Sequence, residues 1–112
     1  MDSLTIKNGM LLSPANGFDG EKGDVLLRDG KIAEVGGCIE PQGEVIDATG
    51  CYVTPGFIDI HTHCYPAVPL GIDPDVLGIQ RGTTTILDAG SAGADNFMDF
   101  YEGTIKHAKT KV

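Results

Sequence analysis

Val53-Thr54-Pro55-Gly56-Phe57-Ile58-Asp59-Ile60-His61-Thr62-His63 divides the chain and sets the reading of both halves. Proline cannot continue a central strand ladder and glycine frees the backbone, so Pro55-Gly56 reads as a boundary. Phe57 to His63 then reads as a strand. Residues two apart on a strand share a face, so Asp59, His61 and His63 line one side. Ile58, Ile60 and Thr62 line the other, which is expected to meet helices. A carboxylate and two imidazoles on a strand that helices should cover need partners. His63 stands at the C-terminal end of the strand, the edge where α/β barrels collect their catalytic residues. Neutral imidazoles are good ligands for zinc and similar ions, and two on one face can share an ion. A bare His-x-His occurs often by chance. The strand-end position after Pro-Gly, with Asp59 on the same face, makes this one a candidate site.

Upstream of the boundary the chain reads as short strands. Leu4-Thr5-Ile6-Lys7 alternates apolar and polar residues, Asn8-Gly9 reads as a turn, and Met10-Leu11-Leu12 follows. Asp24 to Arg28 and Lys31 to Val35 flank Asp29-Gly30, a strong hairpin signal because both turn positions need positive φ. Glu44 to Asp47 and Cys51 to Thr54 complete what reads as a small antiparallel sheet.

Downstream the pattern is β-α-β-α. A loop from Cys64 to Ile72 leads to a helix with Asp73 as N-cap and Pro74 at the first helical position. The helix is expected to run to about Arg81, with Gly82 stopping it. Thr83 to Ala89 is β-branched and apolar and reads as a buried strand. Asp95 is expected to cap a second helix reaching about Lys109, with Phe97, Tyr101, Ile105 and Ala108 on its apolar face and Phe100 alongside. Lys106, Lys109 and Lys111 read as a solvated helix end. The predicted domains are 1–54, a small β-domain, and 55–112, the start of a parallel α/β layer.

Composition narrows the function classes. The chain has 112 residues, 41% hydrophobic and 21% charged, which are ordinary globular values. A complete eight-stranded α/β barrel needs roughly 200 residues or more, so only the beginning of one fits. Sixteen acidic residues against eight basic give a formal charge of -8. That balance disfavours nucleic acid or an anionic membrane surface as a partner, since both call for a basic patch. Cys38, Cys51 and Cys64 are odd in number and lack CxxC spacing, which suits a reduced, cytoplasmic setting better than a disulfide framework. No apolar run approaches the roughly 18 residues of a membrane span. Met1-Asp2-Ser3-Leu4 has no basic stretch followed by an apolar core, so no signal peptide is expected.

Val45-Ile46-Asp47-Ala48-Thr49-Gly50, followed by Val53 to His63, closely resembles the N-terminal signature of the amidohydrolase superfamily, which includes dihydroorotases, imidazolonepropionases and D-aminoacylases. Arg81-Gly82-Thr83-Thr84-Thr85-Ile86-Leu87-Asp88-Ala89-Gly90 resembles the second barrel strand of that group. The loops Cys64 to Asp75 and Ser91 to Phe97 resemble its deacetylase-like branch. The resemblance implies an α/β fold: a small N-terminal antiparallel β-domain, then the first β-α-β-α units of an incomplete TIM-type barrel. It also implies a divalent metal centre, zinc first among the candidates, with one or two ions in the full-length enzyme. Such a centre polarises a scissile carbonyl and activates water. His61 and His63 match the family's metal-binding pair, and Asp59 matches an Asp expected to orient a ligand from behind.

The departures matter as well. Dihydroorotases usually carry an Arg soon after the pair; here Cys64 and Tyr65 follow. A bridging carboxylated Lys, two further His and an Asp belong to later strands of the family. The one His left, His107, reads as a solvated helix-end residue. Cys64 is a weak candidate nucleophile, because alternation turns it away from the His face. Asp88 and Ser91 are candidates for a substrate-side loop, and no residue of the chain is assigned a catalytic role. The sequence is therefore read as the N-terminal part of a metal-dependent hydrolase of an acyl amide or ester, inactive alone. Its substrate would be a small acylated molecule, and a homo-oligomer is an option for the full-length form. The alternatives are a cyclic-amide hydrolase of the same superfamily and a truncated, non-catalytic binding or assembly module.

Overall fold

The computed structural model describes residues 3–112; Met1 and Asp2, part of the stretch read above for a leader, lie outside the described residues. The chain forms two compact units, Met1–Pro55 and Gly56–Val112. Among the described residues no helix is long and apolar enough to cross a membrane.

In the first unit the alternating stretches become β1 (Ser3–Ser13), β2 (Phe18–Arg28), β3 (Lys31–Val35), β4 (Glu44–Asp47) and β5 (Tyr52–Val53). The order is β3-β2-β1-β4, and β5 pairs with β1 further along. Asp29 and Gly30 have φ of 51° and 72°, the left-handed pair that a tight β2–β3 hairpin needs. The sheet is mixed and not wholly antiparallel: β1 runs antiparallel to β2 but parallel to β4 and β5. Hairpin signals report only neighbours in sequence. Residues 36–43 carry the chain from one edge of the sheet across to the far side of β1, and β4 arrives there in the same direction as β1.

Asn8-Gly9 is not a turn. β1 is continuous through it, with Asn8 at φ 64° inside a register shift against β2 between Ile6 and Gly9. The residue pair supplies the backbone of a bulge, which asks for the same left-handed angle as a turn. Asp24 stabilises that bulge. Its carboxylate accepts the Asn8 N–H at 2.8 Å, the Ile39 N–H at 2.8 Å and the Lys7 ammonium. Leu11, Val25, Leu26, Ile39 and Ala48 are buried around it. Thr5, also buried, exchanges two hydrogen bonds with the backbone of Gln42, each 2.8 Å.

The second unit is built on β6 (Phe57–Thr62) and β7 (Thr83–Asp88), parallel to each other. Between them lies α1 (Pro74–Leu77), capped by Asp73, whose carboxylate accepts the Asp75 N–H at 2.8 Å. The expected helix is split at Gly78 and finishes as a 3-10 turn, Ile79–Arg81, closed by Gly82 in the left-handed region. Gly78 is where Thr110 packs: a Cβ there would collide with the Thr110 side chain. Thr110 Oγ1 accepts the Ile79 N–H at 2.9 Å in the break.

After β7 comes α2 (Phe97–Gly103), then a 3-10 turn at Ile105–His107. The helix ends sooner than the sequence suggests, and Asn96, not Asp95, stands at its N-cap. Asn96 turns its side-chain oxygen to the Gly93 N–H and makes no cap bond. Phe100 is the buried residue of this helix, while Phe97 and Tyr101 stack on each other and stay partly exposed. Lys111 belongs to no helix end. Its carbonyl accepts the Ile86 N–H at 2.8 Å and its N–H donates to the Thr84 carbonyl at 3.0 Å, an isolated parallel bridge to β7.

The core of this unit is Cys64, Tyr65, Ile86 and Phe100, with Val68, Leu77, Ala92, Ile105 and Val112 packed against it. It gathers at the C-terminal ends of β6 and β7. Ile58 and Ile60, expected to meet helices, lie short of it and are 67% and 75% exposed.

Asp24 makes the first unit sensitive to acid. Burial alone would push its carboxyl up, but the Lys7 ammonium and the N–H groups of Ile39 and Asn8 outweigh that and lower it to about 2, against 3.8 ordinarily. A carboxylate with a depressed folded-state pKa contributes its stability above the unfolded value and loses it as pH falls through the folded one. Urea unfolding of the wild type and Asp24→Asn at neutral pH should therefore show the variant weaker by about 2 kcal/mol, the scale of a charge-assisted bond to a buried group. The gap should close as pH falls from 3.8 towards 2. A gap that stays constant across that window counts against the assignment.

Candidate functional site

His61 is the penultimate residue of β6 and His63 follows its last residue. Their rings lie edge to face, centroids 5.7 Å apart with planes at 72°. His61 is exposed and His63 half-buried. Strand alternation has thus brought the two imidazoles side by side at the C-terminal edge of the parallel pair.

Backbone and side-chain bonds hold that edge. The ladder between β6 and β7 is irregular between Asp59 and Thr62. Within that irregularity the Asp59 carboxylate accepts the His61 N–H at 3.0 Å. Asp59 thus acts on the backbone of His61 and not on either ring. Thr62 Oγ1 donates to the Leu87 carbonyl at 3.0 Å, and the Ala89 N–H donates to the Thr62 carbonyl at 2.8 Å. The His63 carbonyl accepts the Ile72 N–H at 3.0 Å and closes the loop that follows.

Asp88 and Ser91 sit at the end of β7. One Asp88 oxygen accepts the Cys64 N–H at 2.8 Å; the other accepts the N–H groups of Gly90 at 3.0 Å and Ser91 at 2.6 Å. Burial raises the Asp88 pKa, but the donors of Ser91 and Cys64 outweigh it and hold the carboxyl below its ordinary value. Both oxygens are therefore occupied by local donors. Ser91 Oγ lies 2.9 Å from His63 Nδ1. Residue types alone did not reveal that bond. The available hint was a hydroxyl three residues past a strand-end Asp, on the strand next to the His pair.

Cys64 is fully buried, and burial and the nearby Asp88 carboxylate push its thiol up to about 11. A neutral, enclosed thiol is a packing group and not a nucleophile. His107 is exposed in its 3-10 turn, away from the pair. Two imidazoles with His63 Nδ1 already bonded suit part of a metal site, since each ring can offer one nitrogen. Among the described residues no group of three or more His, Cys, Asp or Glu is placed to hold an ion.

The chain is similar to known proteins over most of its length. A profile described as Amidohydrolase family matches residues 44–91. A protein of Enterococcus faecalis named "Deacetylase" is 38% identical over 97% of this chain and 28% of its own length. A deacetylase of Agrobacterium fabrum is 39% identical over 80% of this chain and 23% of its own length. Among solved structures, an adenine deaminase matches with a TM-score of 0.80 and 38% identity, over 97% of this chain and 28% of that one. A dihydroorotase matches with a TM-score of 0.85 and 30% identity, over 99% and 30% respectively. The chain therefore spans under a third of the length of each of these relatives.

The three thiols should separate cleanly. Native protein treated with a chromogenic disulfide at mildly alkaline pH should titrate Cys38 and Cys51, both exposed, while Cys64 reacts only after unfolding. Fast labelling of Cys64 in the folded state would contradict the packing described.

Proposed function

The chain belongs to the amidohydrolase superfamily, whose N-terminal region it matches, and from that premise we propose that it contributes the first metal ligands of a hydrolase acting on an acyl amide or ester, of the deacetylase kind. The observation that carries this reading is the imidazole pair at the C-terminal edge of β6. His61 and His63 would hold a divalent cation, zinc first among the candidates, and Asp59 would fix the first of them through its backbone. A cation bound there supplies Lewis-acid polarisation of the carbonyl to be cleaved and activation of water.

The names of the curated relatives support the deacetylase kind. A cyclic-amide reading has the dihydroorotase likeness in its favour. The two residues after the pair weigh against it. Cys64 and Tyr65 are buried in the core, so neither can hold a substrate carboxylate as an exposed Arg would. The substrate would be a small acylated molecule and the setting cytoplasmic. An open catalytic zinc site takes about three protein ligands, so the remaining donors of the proposed centre are assigned to later barrel strands.

Zinc titration of the chain by calorimetry tests the ligand assignment. Weak binding is expected, lost in His61→Ala and in His63→Ala, with no hydrolysis of acylated substrates by the chain alone. Binding that survives both substitutions would remove the pair from the metal site. A submicromolar site in the chain alone would show that no later ligands are needed.

A further inference from the structure

We propose that Ser91 is a positioning residue for His63, setting which ring nitrogen keeps the lone pair that can bind a cation. The inference rests on reading His63 as a metal ligand. A neutral imidazole has one N–H and one lone-pair nitrogen, and the partner of one fixes the role of the other. Ser91 Oγ lies 2.9 Å from His63 Nδ1, and a hydroxyl can either donate or accept there. The neighbouring carboxylate decides between the two. Asp88 Oδ1 accepts the Ser91 N–H at 2.6 Å, and the Ser91 side chain is itself among the donors that act on that carboxylate. An adjacent anion draws the hydroxyl proton towards itself and leaves an oxygen lone pair for the ring. Ser91 Oγ then accepts from Nδ1–H, and Nε2 carries the free lone pair.

The same carboxylate fixes both sides of this bond. Asp88 Oδ2 accepts the N–H of Cys64, the residue after His63, while Oδ1 holds the turn at Gly90 and Ser91. A shift of the His63 backbone relative to the Gly90–Ser91 turn would strain these bonds. No side chain holds the ring of His61 in this way among the described residues, although its backbone N–H is bound by Asp59. The two ligands therefore differ: His63 is set before a cation arrives, and His61 is free to turn towards it. Histidine ligands usually give their second nitrogen to a partner of this type, and losing the partner costs about 10–100-fold in metal affinity.

Long-range proton–nitrogen correlation spectra of the histidine-labelled chain, taken at about pH 8, report protonation and tautomer of each ring directly. His63 should be in the Nδ1–H form in the wild type and in Ser91→Thr. In Ser91→Ala it should shift towards the Nε2–H form that imidazoles favour in water, while the His61 signals stay in place and vouch for the fold. Zinc affinity in calorimetry should fall about 10–100-fold in Ser91→Ala and recover in Ser91→Thr. An Nε2–H His63 in the wild type, or a tautomer and affinity unmoved by Ser91→Ala, overturns the role of Ser91 while leaving the His pair as ligands. Zinc binding indifferent to His63→Ala overturns the metal reading itself, whatever the tautomer.

Discussion

The carboxylate of Asp88 is the constraint on which the site depends. It accepts three backbone N–H groups from two separate loops, those after β6 and after β7. The loop after a parallel strand leaves the ladder with donors that have no strand partner, and an unpaired buried N–H is costly. One short side chain supplies a partner for the N–H groups of Cys64, which is buried, and of Gly90 and Ser91, which are nearer the surface. The His pair inherits its position from this arrangement, because His63 stands immediately before Cys64 and its ring touches Ser91. Cys64 itself is carried into the core against Ile86 and Phe100, so the strand end is held by packing on one side and by hydrogen bonds on the other.

The same packing explains which parts of β6 and β7 remain open. The core gathers where Tyr65 meets Phe100, with ring centroids 4.6 Å apart, and it reaches only the C-terminal ends of the two strands. Ile58, Ile60 and Leu87 stay more than half exposed. Apolar side chains on a parallel sheet are ordinarily covered on both faces. Lys111 makes an isolated bridge to β7 at Thr85. The two strands stay joined despite two register shifts in their ladder, since the Thr62 hydroxyl and the Ala89 N–H tie their ends.

Local chemistry was legible in the sequence and long-range pairing was not. Asp29-Gly30, Asp73-Pro74 and the spacing of His61 and His63 each encode a conformation in nearby residues, and the structure has the left-handed pair, the capped helix start and the adjacent imidazoles. Asn8-Gly9 encodes a left-handed backbone angle, but a turn and a bulge demand the same angle. Only the partner strand and the Asp24 carboxylate decide between them. The parallel pairing of β1 with β4, the packing of Thr110 at Gly78 and the bridge of Lys111 to β7 all arise between residues far apart in the chain. The Ser91–His63 bond is of that kind too. Its two residues are 28 positions apart, and only the placing of both at the ends of neighbouring strands links them.

Asp24 and Asp88 show one physical solution used twice. Each collects donors where a strand ladder fails: at the Asn8 bulge in the first unit and at the end of β6 in the second. A carboxylate that accepts two or three N–H bonds is held ionised despite burial, and both groups lie below their ordinary pKa. They differ in their counter-charge. Asp24 has the Lys7 ammonium, whereas Asp88 has no salt-bridge partner among the described residues and relies on backbone dipoles. A lysine in the place of those dipoles would put a positive charge within reach of His63, where it would oppose any cation the imidazoles were to bind. Backbone donors hold the Asp88 charge and fix the loop without adding a full positive charge at the mouth of the site. A structural carboxylate can therefore stand next to the His pair with no lysine beside it.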